Sequence, residues 1–97
     1  MTDLDQVAVQ DNPERLRYEA STESGVVAGF AEYEDVLGVR VFTHTEVDEA
    51  FEGQGIGSAL ARGALDDVRE RGLRIRPECP FIRKYVERHP EYADLRT

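Results

Sequence analysis

Apolar and polar residues alternate through the first half of the chain and then change period. From Glu14 to Ala20, Leu16 and Tyr18 are spaced by charged residues, and Ser21-Thr22-Glu23-Ser24-Gly25 supplies turn chemistry. Val26 to Tyr33 is β-branched and aromatic, Glu34-Asp35 interrupts it, and Val36 to Val47 alternates again. Three antiparallel strands joined as a meander are therefore predicted. In the third, strict alternation sets Leu37, Val39, Val41, Thr43 and Thr45 on one face, and Gly38, Arg40, Phe42, His44 and Glu46 on the other, wetter one. After FEGQGIG the period becomes helical: Ile56, Ala59, Leu60, Gly63, Ala64 and Val68 fall on one stripe that Gly72 ends. Leu73 to Arg76 reads as a short strand stopped by Pro77. Pro80 then opens a second helix carrying Phe81, Ile82, Tyr85 and Val86, which His89-Pro90 closes. Residues 1–13, polar, acidic and ended by Pro13, read as a mobile lead-in or a strand that orders only in part. The order βββ, loop, α, β, α predicts an α+β fold.

Composition narrows this picture. Residues 1–97 suit one domain, with apolar types at 40% and charged types at 33%, a foldable balance. One cysteine, Cys79, excludes an internal disulfide and a multi-cysteine zinc site, and a reducing cytoplasm fits. No run approaches the roughly 20 apolar residues of a membrane span, and the acidic start is unlike a signal peptide. Net charge is −8, with nine acids against two arginines in residues 1–35. That balance disfavours nucleic acid as a partner, offers nothing to a membrane surface and favours a cationic partner. No carboxylate spacing calls for a metal.

The most informative segment is Glu52-Gly53-Gln54-Gly55-Ile56-Gly57-Ser58, between a strand end and a helix start. Glycines let backbone N–H groups converge on a ligand, and a helix N-terminus adds positive charge, so such a turn can cradle a pyrophosphate. The same glycines can also serve close packing alone. A Rossmann fold would need a βαβ unit, whereas hairpin-type strands precede this loop; a Walker A loop would need a lysine that is missing here.

A meander followed by a glycine-loop helix, a strand and a second helix resembles the GNAT superfamily of N-acetyltransferases. His44-Thr45-Glu46-Val47, GQGIGSAL, Arg71-Gly72-Leu73, Pro77-Glu78-Cys79-Pro80-Phe81 and His89-Pro90-Glu91-Tyr92 are similar to its minimal, single-domain YjdJ-type branch. About half the chain carries this resemblance closely; before His44 it is one of topology. It implies that Gln54, Gly55, Ile56, Gly57 and Ser58 present backbone amides to the pyrophosphate of acetyl-coenzyme A. It also implies that the Val47 backbone hydrogen-bonds the pantetheine arm. Glu52 departs from the Gln or Arg usual there and is expected to face solvent. Arg62 either reaches a phosphate or is merely solvated.

Acetyl transfer to an amine needs a neutral amine, a polarised thioester carbonyl and a proton for the leaving thiolate. By the resemblance Tyr85 matches the tyrosine that protonates that thiolate, although its helical spacing from Phe81 also suits the core. Cys79, between a strand end and a helix start, is either a nucleophile or a small buried apolar residue near the thioester. His44 is a candidate general base if its strand end faces the same cleft. The expected activity is acetyl-CoA-dependent acetylation of a primary amine, a small molecule or a lysine-bearing peptide, by a monomer or weak homodimer. A non-catalytic module that binds coenzyme A or an acyl-CoA is the alternative.

Overall fold

The computed structural model describes residues 7–97, so residues 1–6 of the expected lead-in lie outside the described residues. A five-stranded sheet runs in sequence order through β1 (Ala8–Asn12), β2 (Arg17–Ser21), β3 (Val27–Val36), β4 (Val39–Val47) and β5 (Arg74–Pro77). The first four strands are antiparallel neighbours; β5 pairs parallel with β4 after the chain crosses over through α1 (Ile56–Glu70). Helix α2 (Pro80–Arg88) follows β5. A 3₁₀ turn at Pro90–Leu95 returns the chain to the β5 edge, where Arg96 bridges Ile75.

The α+β architecture matches the expected one, with three corrections. The meander has four strands, because residues 8–12 pair with β2, so of the two readings of this segment the strand holds and the mobile lead-in does not. Asp11 accepts a hydrogen bond from the Tyr33 hydroxyl at 2.5 Å, and Val9 packs on Gly63, where a Cβ would lie 2.7 Å away. Second, Glu34-Asp35 does not break the strand. β3 runs to Val36, and the hairpin turns at Leu37-Gly38, whose φ angles of 51° and 82° are those of a two-residue type I′ turn. Third, alternation fails in β4. The register pairs Tyr33 with Phe42 but Glu32 with His44, which leaves Thr43 as an extra residue, a bulge. Arg40, Phe42, Thr45 and Val47 consequently share the face covered by the helices, while His44 and Glu46 look out from the open face.

The core lies between the covered face and the two helices. Tyr18, Ala31, Tyr33 and Phe42 meet Leu60, Ala64, Leu65 and Val68 of α1 and Ile82 and Val86 of α2 in one buried cluster. α1 buries one stripe, as its period predicts, and starts at Gly55, a left-handed cap with φ 79°. Among the described residues no helix is long and apolar enough to cross a membrane.

Candidate active site

The site is built where β4 and β5 separate. Their parallel pairing ends at Phe42 and Pro77, and the amides of Glu78 and Cys79 both turn to the Phe42 carbonyl, at 3.0 and 2.8 Å. Proline cannot continue a ladder as a donor, so Pro77 ends β5 here. Among the described residues, no strand neighbours the β5 side of β4 from Thr43 to Val47. Asp48 N–H donates to Ala28 at 2.8 Å, in register with Gly29–Val47. Backbone groups alternate sides along an antiparallel strand, so those of Glu46 and His44 also point at β3. Those of Thr45 and Val47 point into the gap left by β5. The gap therefore offers a row of peptide donors and acceptors.

Beyond Val47 the chain makes a short 3₁₀ turn over Glu49–Phe51, capped by Asp48, whose carboxylate accepts from the Ala50 amide at 2.9 Å. Gly53 and Gly55 then take φ of 81° and 79°, the left-handed region that side chains disfavour, and this turns the chain into α1. Gly55 has no side chain to cap the helix and no side-chain cap bond is made. The N–H groups of Ile56, Gly57 and Ser58 thus lack intrahelical acceptors and carry the positive end of the dipole. Glu52 is exposed and Ile56 buries its side chain in the core, leaving its amide to the loop. Gln54 also lines a cavity of about 320 Å³ with Thr22, Glu23 and Phe51, beside the β2–β3 turn.

Cys79 caps α2, is 3% exposed, and its Sγ donates to Thr45 Oγ1 at 3.3 Å, which ties α2 to the β4 edge. Tyr85 is elsewhere: six residues on, roughly 9 Å along the axis, it lines the groove between α1 and α2 with Ser58 and Phe81. Its ring stacks on His89 at 3.8 Å, and His89 Nδ1 lies 2.8 Å from the Tyr85 carbonyl. Burial pushes the Tyr85 hydroxyl above its ordinary pKa, the nearby Arg62 guanidinium opposes this, and Glu91 and Asp66 add to it. At neutral pH it is a proton donor. Arg62 is exposed beside this groove.

His44 projects from the opposite face. Its Nε2 is 3.0 Å from Glu46 and its ring is 6.3 Å from that of Phe30. The structure brings together Thr45, Val47 and Cys79 at the strand gap, and Ser58, Tyr85 and Arg62 at the helix groove. It does not bring His44 to Cys79, because the bulge turns them to different faces. Three features of the site escaped the sequence reading. Thr45 as the partner of Cys79 follows only from the bulge. Phe81 lies over Gly57, where a Cβ would sit 2.8 Å from its ring. Lys84 and Arg88 line the groove with Tyr85, and their i, i+4 spacing was the signal that a helix-face reading of α2 offered.

A mixed sheet that splays beside a glycine-turned helix start defines a class. The family model described as GCN5-related N-acetyl-transferase matches residues 17–95, and the chain belongs to that family. Among solved structures it resembles a Staphylococcus aureus protein described as GCN5-like, determined in solution by NMR. The TM-score is 0.70 at 21% identity, over 95% of this chain and 89% of that one. A crystallised protein assigned to the phosphinothricin N-acetyltransferases gives a TM-score of 0.60 at 26% identity, over 80% of this chain and 53% of that one. In sequence it is 47% identical over 47 residues to Protein NATD1 of Xenopus tropicalis, 48% of this chain and 43% of that protein. Protein NATD1 of Homo sapiens is equally similar, with 42% of its length matched. The chain thus aligns with less than half the length of these curated relatives.

Proposed function

We infer that this protein transfers an acetyl group from acetyl-CoA to a primary amine. The observation that carries the reading is the gap between β4 and β5, where outward-pointing peptide groups of Thr45 and Val47 lead toward an uncapped helix start. That donor set fits the coenzyme: an amide-bearing arm along a free strand edge, and a diphosphate at first-turn N–H groups. Val47, Gln54, Gly55, Ile56, Gly57 and Ser58 would hold it through backbone atoms. When bound, acetyl-CoA supplies an activated thioester.

The remaining chemistry belongs to the chain. Thr45 and Cys79 flank the gap, and a hydrogen-bonded thiol there either lies against the thioester or attacks it. Tyr85, protonated at neutral pH, is the proton donor of this scheme. The amine approaches from the open face, where Glu46 and Asp48 line a cavity of about 240 Å³ with Phe30 and Arg17; the Arg17 charge is already paired with Glu19 at 2.8 Å and lies over the Phe30 ring. His44 stands on the same face, beside Glu46, as its general base. Those carboxylates favour a cationic acceptor, a polyamine or a lysine-bearing peptide.

The test is release of free thiol from acetyl-CoA with spermidine, a lysine peptide and an anionic amine as acceptors. Faster release with the two cationic amines is expected. No release with any amine at millimolar concentration contradicts the reading, and preference for the anionic one contradicts the acceptor class.

A further inference from the structure

Of the four tyrosines in the chain, three end on a carboxylate. The hydroxyls of Tyr18, Tyr33 and Tyr92 donate to Asp67, Asp11 and Asp66 at 2.6, 2.5 and 2.7 Å. Tyr85 is the exception: among the described residues its hydroxyl has no hydrogen-bond partner, although its ring is half-buried against the core. A hydroxyl that no side chain claims is open to a ligand. It also has nothing of its own to fix it, because a tyrosine turns between rotamers unless its ring is packed.

The ring is held by His89. The imidazole lies on the Tyr85 ring with centroids 3.8 Å apart and planes 14° apart, whereas Tyr92 stands further off, at 6.1 Å and 35°. His89 is itself fixed in two ways. Its Nδ1 is 2.8 Å from the Tyr85 carbonyl oxygen, and a carbonyl only accepts, so Nδ1 carries the proton and donates it. Pro90 disfavours helical backbone in the residue before it, and His89 leaves α2 with φ −127° and ψ 80°. The His89-Pro90 pair that closes the helix thus also folds a flat ring back over the tyrosine one turn earlier. Among the described residues no hydrogen bond joins the imidazole to the Tyr85 hydroxyl, so His89 acts on the placement of the ring and is not a proton relay.

We propose that His89 is a positioning residue for acetyl transfer: by stacking on Tyr85 it keeps the unpartnered hydroxyl presented for protonation of the leaving thiolate. This rests on the acetyl-CoA reading above, with Tyr85 as its proton donor. In that step the C–S bond breaks with its electron pair on sulfur, and the sulfur takes the Tyr85 proton. The acylated amine sheds one proton to solvent, and solvent returns one to the tyrosine oxygen, so the hydroxyl is restored. A ring free to turn would leave coenzyme binding as it is and slow this step alone, because a proton donor works only within hydrogen-bond reach.

The experiment is steady-state thiol release from acetyl-CoA, with the fastest of the three amines above, by wild type, His89→Ala, His89→Phe, Tyr85→Phe and the Tyr85→Phe/His89→Ala double variant. His89→Ala is expected to lower kcat by about ten-fold or more while KM for acetyl-CoA stays within about two-fold. His89→Phe puts a flat ring back and is expected to bring kcat to within about three-fold of wild type. The double variant is expected to be no slower than Tyr85→Phe alone, because His89 works only through that hydroxyl. Melting midpoints report whether each variant is folded; should His89→Ala not fold, His89→Leu, which fills the space without a flat ring, takes its place with the same expectation. Unchanged kcat in His89→Ala, His89→Phe as slow as His89→Ala, or additive losses in the double variant would overturn the proposal and leave the acetyl-CoA reading intact. Unchanged kcat in Tyr85→Phe would overturn it together with the proton-donor role of Tyr85. Absence of thiol release by wild type would overturn the acetyl-CoA reading and this proposal with it.

Discussion

A methyl group at Gly29 would lie 2.9 Å from the Glu46 carbonyl oxygen and 3.2 Å from both Ile56 and Leu60. The obstacle is backbone on one side and core on the other, so neither can yield cheaply. Gly29→Ala should cost about 1–3 kcal/mol and lower the melting midpoint measured by circular dichroism by several degrees. Gly57 differs, because its neighbour is the half-exposed ring of Phe81, which can swing aside. Gly57→Ala should leave the midpoint nearly unchanged and weaken acetyl-CoA binding. Leu37 stands at φ 51° and is 99% exposed, so it bears left-handed strain without packing in return. Leu37→Asn should raise stability by roughly 1 kcal/mol, read as a higher midpoint. At this scale the glycine loop and Cys79 were legible from residue type and position. Gly29 was not, since its constraint comes from a helix packed across the sheet and has no trace in the local sequence.

Elements are joined at one end of the sheet by a buried polar cluster. Arg40 of β4, 5% exposed, donates from Nε and an η-nitrogen to Asp35 of β3 at 2.8 Å each and to the Tyr18 hydroxyl of β2 at 2.7 Å. Tyr18 in turn donates to Asp67 of α1 at 2.6 Å, and Tyr33 reaches Asp11 of β1. Burial and the bond to Asp11 push the Tyr33 hydroxyl up to about 12, so it stays a donor at every pH the protein meets. Arg40→Ala would leave the buried Asp11 carboxylate, 3.7 Å away, and the buried Tyr18 hydroxyl without their cation and should cost about 3–5 kcal/mol, seen as a large fall in melting midpoint. The hydrogen bond from Arg40 holds the Asp35 carboxyl below its ordinary pKa. A folded-state value below the unfolded one gives stability that is present above about pH 4 and lost as pH falls further. Wild type should therefore lose stability on acidification more steeply than Asp35→Asn. The helices were legible because a 3.6-residue stripe, Gly55 and Pro80 mark them. β1 was legible only as one of two alternatives, because what orders its polar residues is Tyr33 and the space over Gly63, both distant in sequence. The bulge at Thr43 also left no mark, since β-branched Thr43 and Thr45 suit either face of a strand.

At the scale of the whole molecule, the parallel crossover and the early end of β5 create the site. Sequence spacing set the order of the elements; the gap depends on Pro77 ending one strand while β4 continues for five residues. That tertiary fact decides which catalytic candidates can meet: Cys79 with Thr45, Tyr85 with the helix groove, and His44 with the open face. A direct test follows the backbone amides of the chain by heteronuclear NMR during titration with acetyl-CoA. The account predicts that the amides of Thr45, Val47, Ile56, Gly57 and Ser58 shift together and saturably, while those of β1 and the Leu37-Gly38 turn stay still. Saturable shifts confined to other residues, or no shifts at millimolar coenzyme, would contradict it.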